Sequence, residues 1–173
     1  MGLTKKNLGQ FISFRFKYTN RMRIYSGFLI DFNDDWILLK YNPVDYVMDG
    51  YIILKSNHVT EYKRDEEEKF TERILKLKRV KVTSKEKILI TDIHSILNFL
   101  NDKYGVFQFD MRTDTSCWLG RIKWIKGSDL KLKALTTKAK WSNTMPVFKL
   151  GNIRTIQFDN DYINSLKLGA SKS

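Results

Sequence analysis

The sequence predicts a mainly β protein with linker helices, built as two repeated five-stranded small barrels. Three observations carry this. Apolar and polar residues alternate with a period of two in both halves of the chain. Sliding the 173-residue chain by 93 positions yields an ordered series of like-for-like matches. Between the matched segments, the apolar spacing becomes that of a helix.

Phe14 falls on Phe107, Phe16 on Phe109, Tyr18 on Met111, Tyr25 on Trp118, Gly27 on Gly120 and Leu29 on Ile122. Ile37 then falls on Leu130 and Leu39 on Leu132. One extra residue in the second copy moves the offset to 94, and Leu54 meets Phe148, Val59 meets Ile153 and Tyr62 meets Ile156. The matches delimit a first barrel over 8–63, a helical linker over 64–103, a second barrel over 104–160 and a C-terminal tail over 161–173.

In the first copy, Phe14, Phe16 and Tyr18 alternate with Arg15 and Lys17, as in a half-buried strand. A second strand runs through Tyr25 to Leu29, where Gly27, like Gly120, marks a bend or a close backbone approach. Asn33-Asp34-Asp35 turns the chain into a third strand, Trp36 to Tyr41. Tyr51 to Lys55 and Val59 to Lys63 complete five. The second copy repeats the pattern through Trp118 to Ile122, Asp129 to Leu135, Val147 to Leu150 and Ile153 to Phe158. Five short strands with one apolar face each bury that face best by closing into a barrel.

In the linker, Asp65-Glu66-Glu67-Glu68 suits a helix N-terminus, and Phe70, Ile74 and Leu77 form its apolar stripe. A second helix has Thr91 or Asp92 as cap, Ile93, Ile96, Leu97 and Leu100 on one face, and Gly105 just past its end. The stretch Lys76 to Val82 alternates and reads as either an extra strand or a linker.

Both copies resemble Sm-like domains, the small barrels of the Sm and Sm-like proteins, which share the SH3-like type of architecture. The first family motif matches Gly27, Leu29 and Trp36 to Leu39, and again Gly120, Ile122 and Leu130 to Leu132. The second motif is similar to Leu54-Lys55-Ser56-Asn57-His58-Val59 and to Phe148-Lys149-Leu150-Gly151-Asn152-Ile153. The resemblance implies RNA binding through the second-motif loop, where Lys55, His58, Lys149 and Asn152 stand. It also implies ring-like assembly, so a homo-oligomer or protein partner is an expectation. The family's base-holding asparagine is absent: Ile37 and Leu130 occupy its place.

Composition narrows the function. Thirty-one basic against 19 acidic residues give a net charge of +12. The excess is uneven: residues 105–173 carry twelve basic and five acidic groups, whereas residues 1–64 carry ten and six. Along Asp129-Leu130-Lys131-Leu132-Lys133 leucines face one way and lysines the other. Arg121 and Lys123 alternate in the same manner, with Lys126, Lys138 and Lys140 at the edge. Such a face neutralises phosphates, which points to RNA or another single-stranded nucleic acid. A merely solvated lysine face explains the same pattern. Trp36, Trp124 and Trp141 are candidates for stacking on bases, or equally for filling and flanking a core. An outward Trp36 beside Leu38 also suits a barrel-to-barrel contact.

Catalysis finds no constellation. His58 and His94 lack a partner carboxylate or cysteine at a recognisable spacing, and Cys117 reads as a small packed residue beside a core Trp118. Asp34-Asp35 and Asp45-Asp49 read as turn acids. The expectation is a non-enzymatic binding module without cofactor or metal. The alternative is a protein–protein interaction or assembly module. One cysteine and no apolar run of membrane length point to a reducing, cytoplasmic setting without a membrane partner.

Overall fold

A computed structural model describes residues 2–82, 88–112 and 117–171. Among these residues the protein is mainly β, with one ten-stranded antiparallel sheet and three α-helices. The first unit contributes β1 (Phe11–Lys17), β2 (Met22–Phe32), β3 (Trp36–Asn42), β4 (Tyr51–Lys55) and β5 (Val59–Lys63). Helices α1 (Glu66–Leu77) and α2 (Ile93–Lys103) follow. The second unit has β6 (Phe107–Asp110), β7 (Cys117–Lys126), β8 (Asp129–Ala134), β9 (Val147–Lys149) and β10 (Thr155–Phe158). Residues 161–173, expected only as a tail, include the helix α3 (Asp161–Ser171).

The strands run in the order β5-β1-β2-β3-β4-β10-β6-β7-β8-β9. The expected closure of each five-stranded unit by its own hydrogen bonds is therefore corrected. β4 pairs with β10 of the second unit, Ile53 opposite Ile156, and not with its own β5. Cross-unit pairing satisfies the β4 edge that closure would otherwise have used.

Pairing register carries the repeat into three dimensions. Gly27 stands opposite Tyr41 and Gly120 opposite Ala134. Ile37 pairs with Leu54 as Leu130 pairs with Phe148. Both second strands bulge at the same place, one skipping Ile30 and the other Lys123. The first strand needs a correction. Phe14 pairs with Tyr25 and Tyr62, whereas the residue between their counterparts Trp118 and Ile156 is Phe109. Phe14 therefore corresponds to Phe109, not Phe107, because the second hairpin is two residues shorter. A two-residue slip keeps every side chain on its face, so alternation could not reveal it.

Two cores meet at β3 and β4. Ile37, Leu39, Ile52 and Leu54 join Ile12, Phe14 and Phe16 in the core of the first unit. From the other face, Trp36, Leu38, Tyr51 and Ile53 join Phe107, Phe109, Leu130, Leu132 and α2 residues Ile96, Leu97 and Leu100. Trp36 thus points away from its own unit's core but is buried against the second unit, not solvent. Burial on both faces explains why these strands read as unbroken apolar runs. At this seam the Tyr18 hydroxyl contacts Tyr25 Oη at 2.8 Å and donates to Asp110 Oδ2 at 3.2 Å. Thr155 Oγ1 donates to the same oxygen at 3.0 Å.

Helix α2 is capped by Asp92, whose carboxylate accepts from the backbone N–H groups of His94 and Ser95. Gly105 just beyond it adopts φ +75°. Helix α1 departs from its expected stripe. Phe70 and Leu77 are 45% and 73% exposed, and the buried residues are Glu68, Glu72 and Leu75. The two carboxylates answer specific donors on the sheet. Glu72 Oε2 accepts from Phe11 N and from Arg64 Nη2, both at 2.9 Å. Glu68 Oε1 accepts from Ser13 Oγ at 2.7 Å. Residues 78–82 form no strand, and Arg79 turns the chain at φ 56°, so the stretch after α1 is a linker.

Candidate nucleic-acid interface

The β7–β8 ladder sets the site. Arg121 stands opposite Lys133 and Trp124 opposite Lys131, while Leu132 and Leu130 face the core. Directly opposed like charges are unfavourable across a pair of strands. Aromatic rings offset this. The Arg121 guanidinium lies 4.7 Å and Lys133 Nζ 5.4 Å from the Trp141 ring centroid. Lys126 and Lys131 lie 5.4 and 5.8 Å from the Trp124 centroid. Each such contact at an exposed site contributes about 0.5–1 kcal/mol. Trp141 reaches this face because its backbone bridges Leu135, beyond the end of β8.

The result is a stripe of two tryptophans, each flanked by two cations. Among the described residues none of Arg121, Lys131 and Lys133 is ion-paired with a carboxylate. Lys123 occupies the bulge and is also without one. One end of the stripe abuts α3, which packs Ile163 and Leu166 over Val106, Leu119 and Leu135.

The second-motif residues divide. Lys149 forms an ion pair with Asp129 at 2.6 Å, without hydrogen-bond alignment, so its charge is already answered. Lys55, His58 and Asn152 gather at the β4–β10 seam, separated from β7 in the sheet by β6. Lys55 Nζ donates to the Gly151 carbonyl at 3.2 Å, and Arg112 Nε donates to Asn152 Oδ1 at 3.3 Å. His58 lies edge-on to Phe16, 5.8 Å between centroids. Burial, then the charges of Arg154 and Lys55, hold its imidazole below the ordinary histidine pKa. The seam thus brings together cations that neither unit collects alone. Arg112 and Arg154 escape sequence reading because the residues that make them a cluster belong to the other copy.

Other expectations resolve more simply. Cys117 is exposed as a residue, not packed, but its thiol is partly shielded from water, and that desolvation followed by the Asp110 charge raises its pKa, which disfavours a thiolate nucleophile. Trp118 is half-buried against Phe148, at 4.9 Å between centroids. Asp49 serves structure: its Oδ1 accepts from Asp161 N at the start of α3. Asp65, Glu67 and Glu68 converge at the start of α1, where Lys63 Nζ pairs with Asp65 and Glu67. That geometry is a helix cap and its counter-charge.

No helix among the described residues is long and apolar enough to cross a membrane. Scanned against protein-family models and curated proteins, the chain matches none.

Proposed function

We propose that this protein is a non-enzymatic module that binds single-stranded RNA on the β7–β8 face, within a pair of Sm-like five-stranded units. The single observation that carries the reading is the stripe in which Arg121 and Lys133 both approach the Trp141 ring, and Lys126 and Lys131 the Trp124 ring. Phosphates need cations whose charge is not spent on protein carboxylates, and unpaired bases need aromatic faces. The stripe supplies both, with Trp124 on the β7–β8 ladder and Trp141 brought beside it by the bridge to Leu135. The reading as two copies of one unit is supported by the shared strand order, the equivalent glycines and the matching bulges, and its Sm-like part rests on the sequence motifs alone. A cytoplasmic setting belongs to the same reading.

Titration of a labelled single-stranded RNA at increasing salt tests it, with the matching duplex as comparison. Binding should weaken steeply with salt, quench tryptophan fluorescence, and favour the single strand, whose bases are free to stack. Absence of binding at low salt overturns the reading.

One observation favours assembly as a second reading. Tyr51 and Ile53 bury themselves at the seam, and their counterparts on the free β9 side, Met145 and Val147, are 39% and 52% exposed. The opposite free edge does not match, because Arg64 stands where the seam has the buried Phe158. A concentration series in light scattering decides it. A constant monomer mass ends the assembly reading.

A further inference from the structure

The repeat makes a comparison possible within one chain. In the first unit, Phe28 and Ile30 on the bulged strand pack with Met48 from the β3–β4 loop, beneath Leu75 of α1 and the Val80–Val82 stretch. In the second unit, the counterparts of Phe28 and Ile30 are Arg121 and Lys123. The counterpart of Met48 is Trp141 or Ser142, across the one-residue insertion. The place that is apolar core in one copy is an open cleft of about 620 Å³ in the other. Its lining includes Asn101, Arg121, Lys123, Lys133, Asn143 and Met145, and no carboxylate.

The lining is dominated by donors. Asn101 Oδ1 already accepts from Ile122 N at 2.9 Å, so its amide nitrogen is what remains to offer. Three cations and that amide select an anion rich in acceptors. Arg121 and Lys133 each lie against Trp141, while Met145 and Ile122 give the wall apolar surface. The volume falls within the range of small-ligand sites and exceeds what a bare phosphate fills.

From this geometry we infer that the cleft binds a nucleoside monophosphate unit, phosphate on Arg121, Lys123 and Lys133 and base against Met145. The unit is either a free nucleotide or one residue of a strand lying along the stripe. The strand-bound form rests on the RNA reading above; the free form does not. The bulge at Lys123 is the enabling feature, since the skipped residue leaves the strand's regular ladder at the cleft wall.

Calorimetric titration of the full chain with adenosine and uridine monophosphates, the two nucleosides and inorganic phosphate tests the inference. A monophosphate should bind at least about tenfold tighter than either its nucleoside or phosphate alone, since each half contributes. Lys123→Gln, an exposed change checked by unaltered thermal unfolding, should weaken monophosphate binding about fivefold, whereas Lys6→Gln should leave it unchanged. Equal losses in both variants, or phosphate binding as tightly as the monophosphate, overturn the inference. RNA bound with no monophosphate affinity overturns it and leaves the RNA reading standing. Monophosphate bound with no RNA affinity does the reverse. With both bound, displacement of the monophosphate by single-stranded RNA identifies the strand as the source, and independent binding identifies the free nucleotide; both outcomes uphold the cleft.

Discussion

A Cβ on Gly120 would stand 2.2 Å from the carbonyl oxygen of Lys133, and the equivalent atom on Gly27 would stand 2.1 Å from that of Lys40. The two copies therefore share one backbone contact that excludes any side chain. It is also the contact that holds β7 close against the strand bearing Lys131 and Lys133.

Gly120→Ala and Gly27→Ala should each destabilise the fold by about 3 kcal/mol through forced separation of backbone from backbone. For a chain of this length that lowers Tm by roughly 6–12 °C. Gly151→Ala is the control, because nothing lies within 4 Å of its Cβ position. Differential scanning calorimetry reads all three, and an unchanged Tm in both test variants contradicts the equivalence.

Glu72→Ala should cost about 2–3 kcal/mol, since it strips partners from the Phe11 N–H and from the largely buried Arg64. Denaturant unfolding at neutral pH measures it.

The same carboxylate predicts acid sensitivity. Burial pushes the Glu72 pKa up, but Lys76, the Phe11 N–H and Arg64 together outweigh it, and the net direction is down. A depressed folded pKa contributes stability that is present above the ordinary glutamate value of about 4.3 and lost as pH falls through the folded value. Glu72→Gln should therefore flatten the acid limb of the stability profile below that pH and nowhere else. An unchanged acid limb contradicts the assignment.

At the alkaline end the sign reverses. Burial, then the neighbouring Tyr25 and Asp110 charges, raise the Tyr18 pKa, and burial likewise raises that of Tyr25. Stability from these groups is fully present below the unfolded value of about 10 and is lost as pH rises toward the folded values. Ultraviolet titration should show Tyr18 and Tyr25 ionising only together with unfolding. Tyr18→Phe should soften that alkaline loss.

How much of this was legible in the sequence depends on whether partners were local. Alternation identified Leu130 and Leu132 as inward and Lys131 and Lys133 as outward, because a strand has only two faces. The glycine equivalence was visible because both residues meet the same strand of their own unit. The β4–β10 seam was not visible. Trp36 and Leu38 announced an apolar outer face, but alternation does not say what covers it. Helix α1 misled because Glu68 and Glu72 are buried by donors on Ser13, Phe11 and Arg64, and a rule that counts only apolar residues assigns the face to Phe70 and Leu77. Trp141 came to the site through a loop and a single bridge to Leu135, with no periodic signal at all.

The most direct measurement is the salt dependence of single-stranded RNA binding by the wild-type chain and by Lys131→Gln/Lys133→Gln. Leu130 and Leu132 hold the core, so the variant should fold normally. Loss of two phosphate contacts should flatten the slope of log K against log salt by about 1.4, at roughly 0.7 per contact on a single strand. Lys5→Gln/Lys6→Gln removes the same charge from an exposed turn outside the stripe and should change the slope far less. Equal changes in the two variants, or no RNA binding at low salt, would contradict the account.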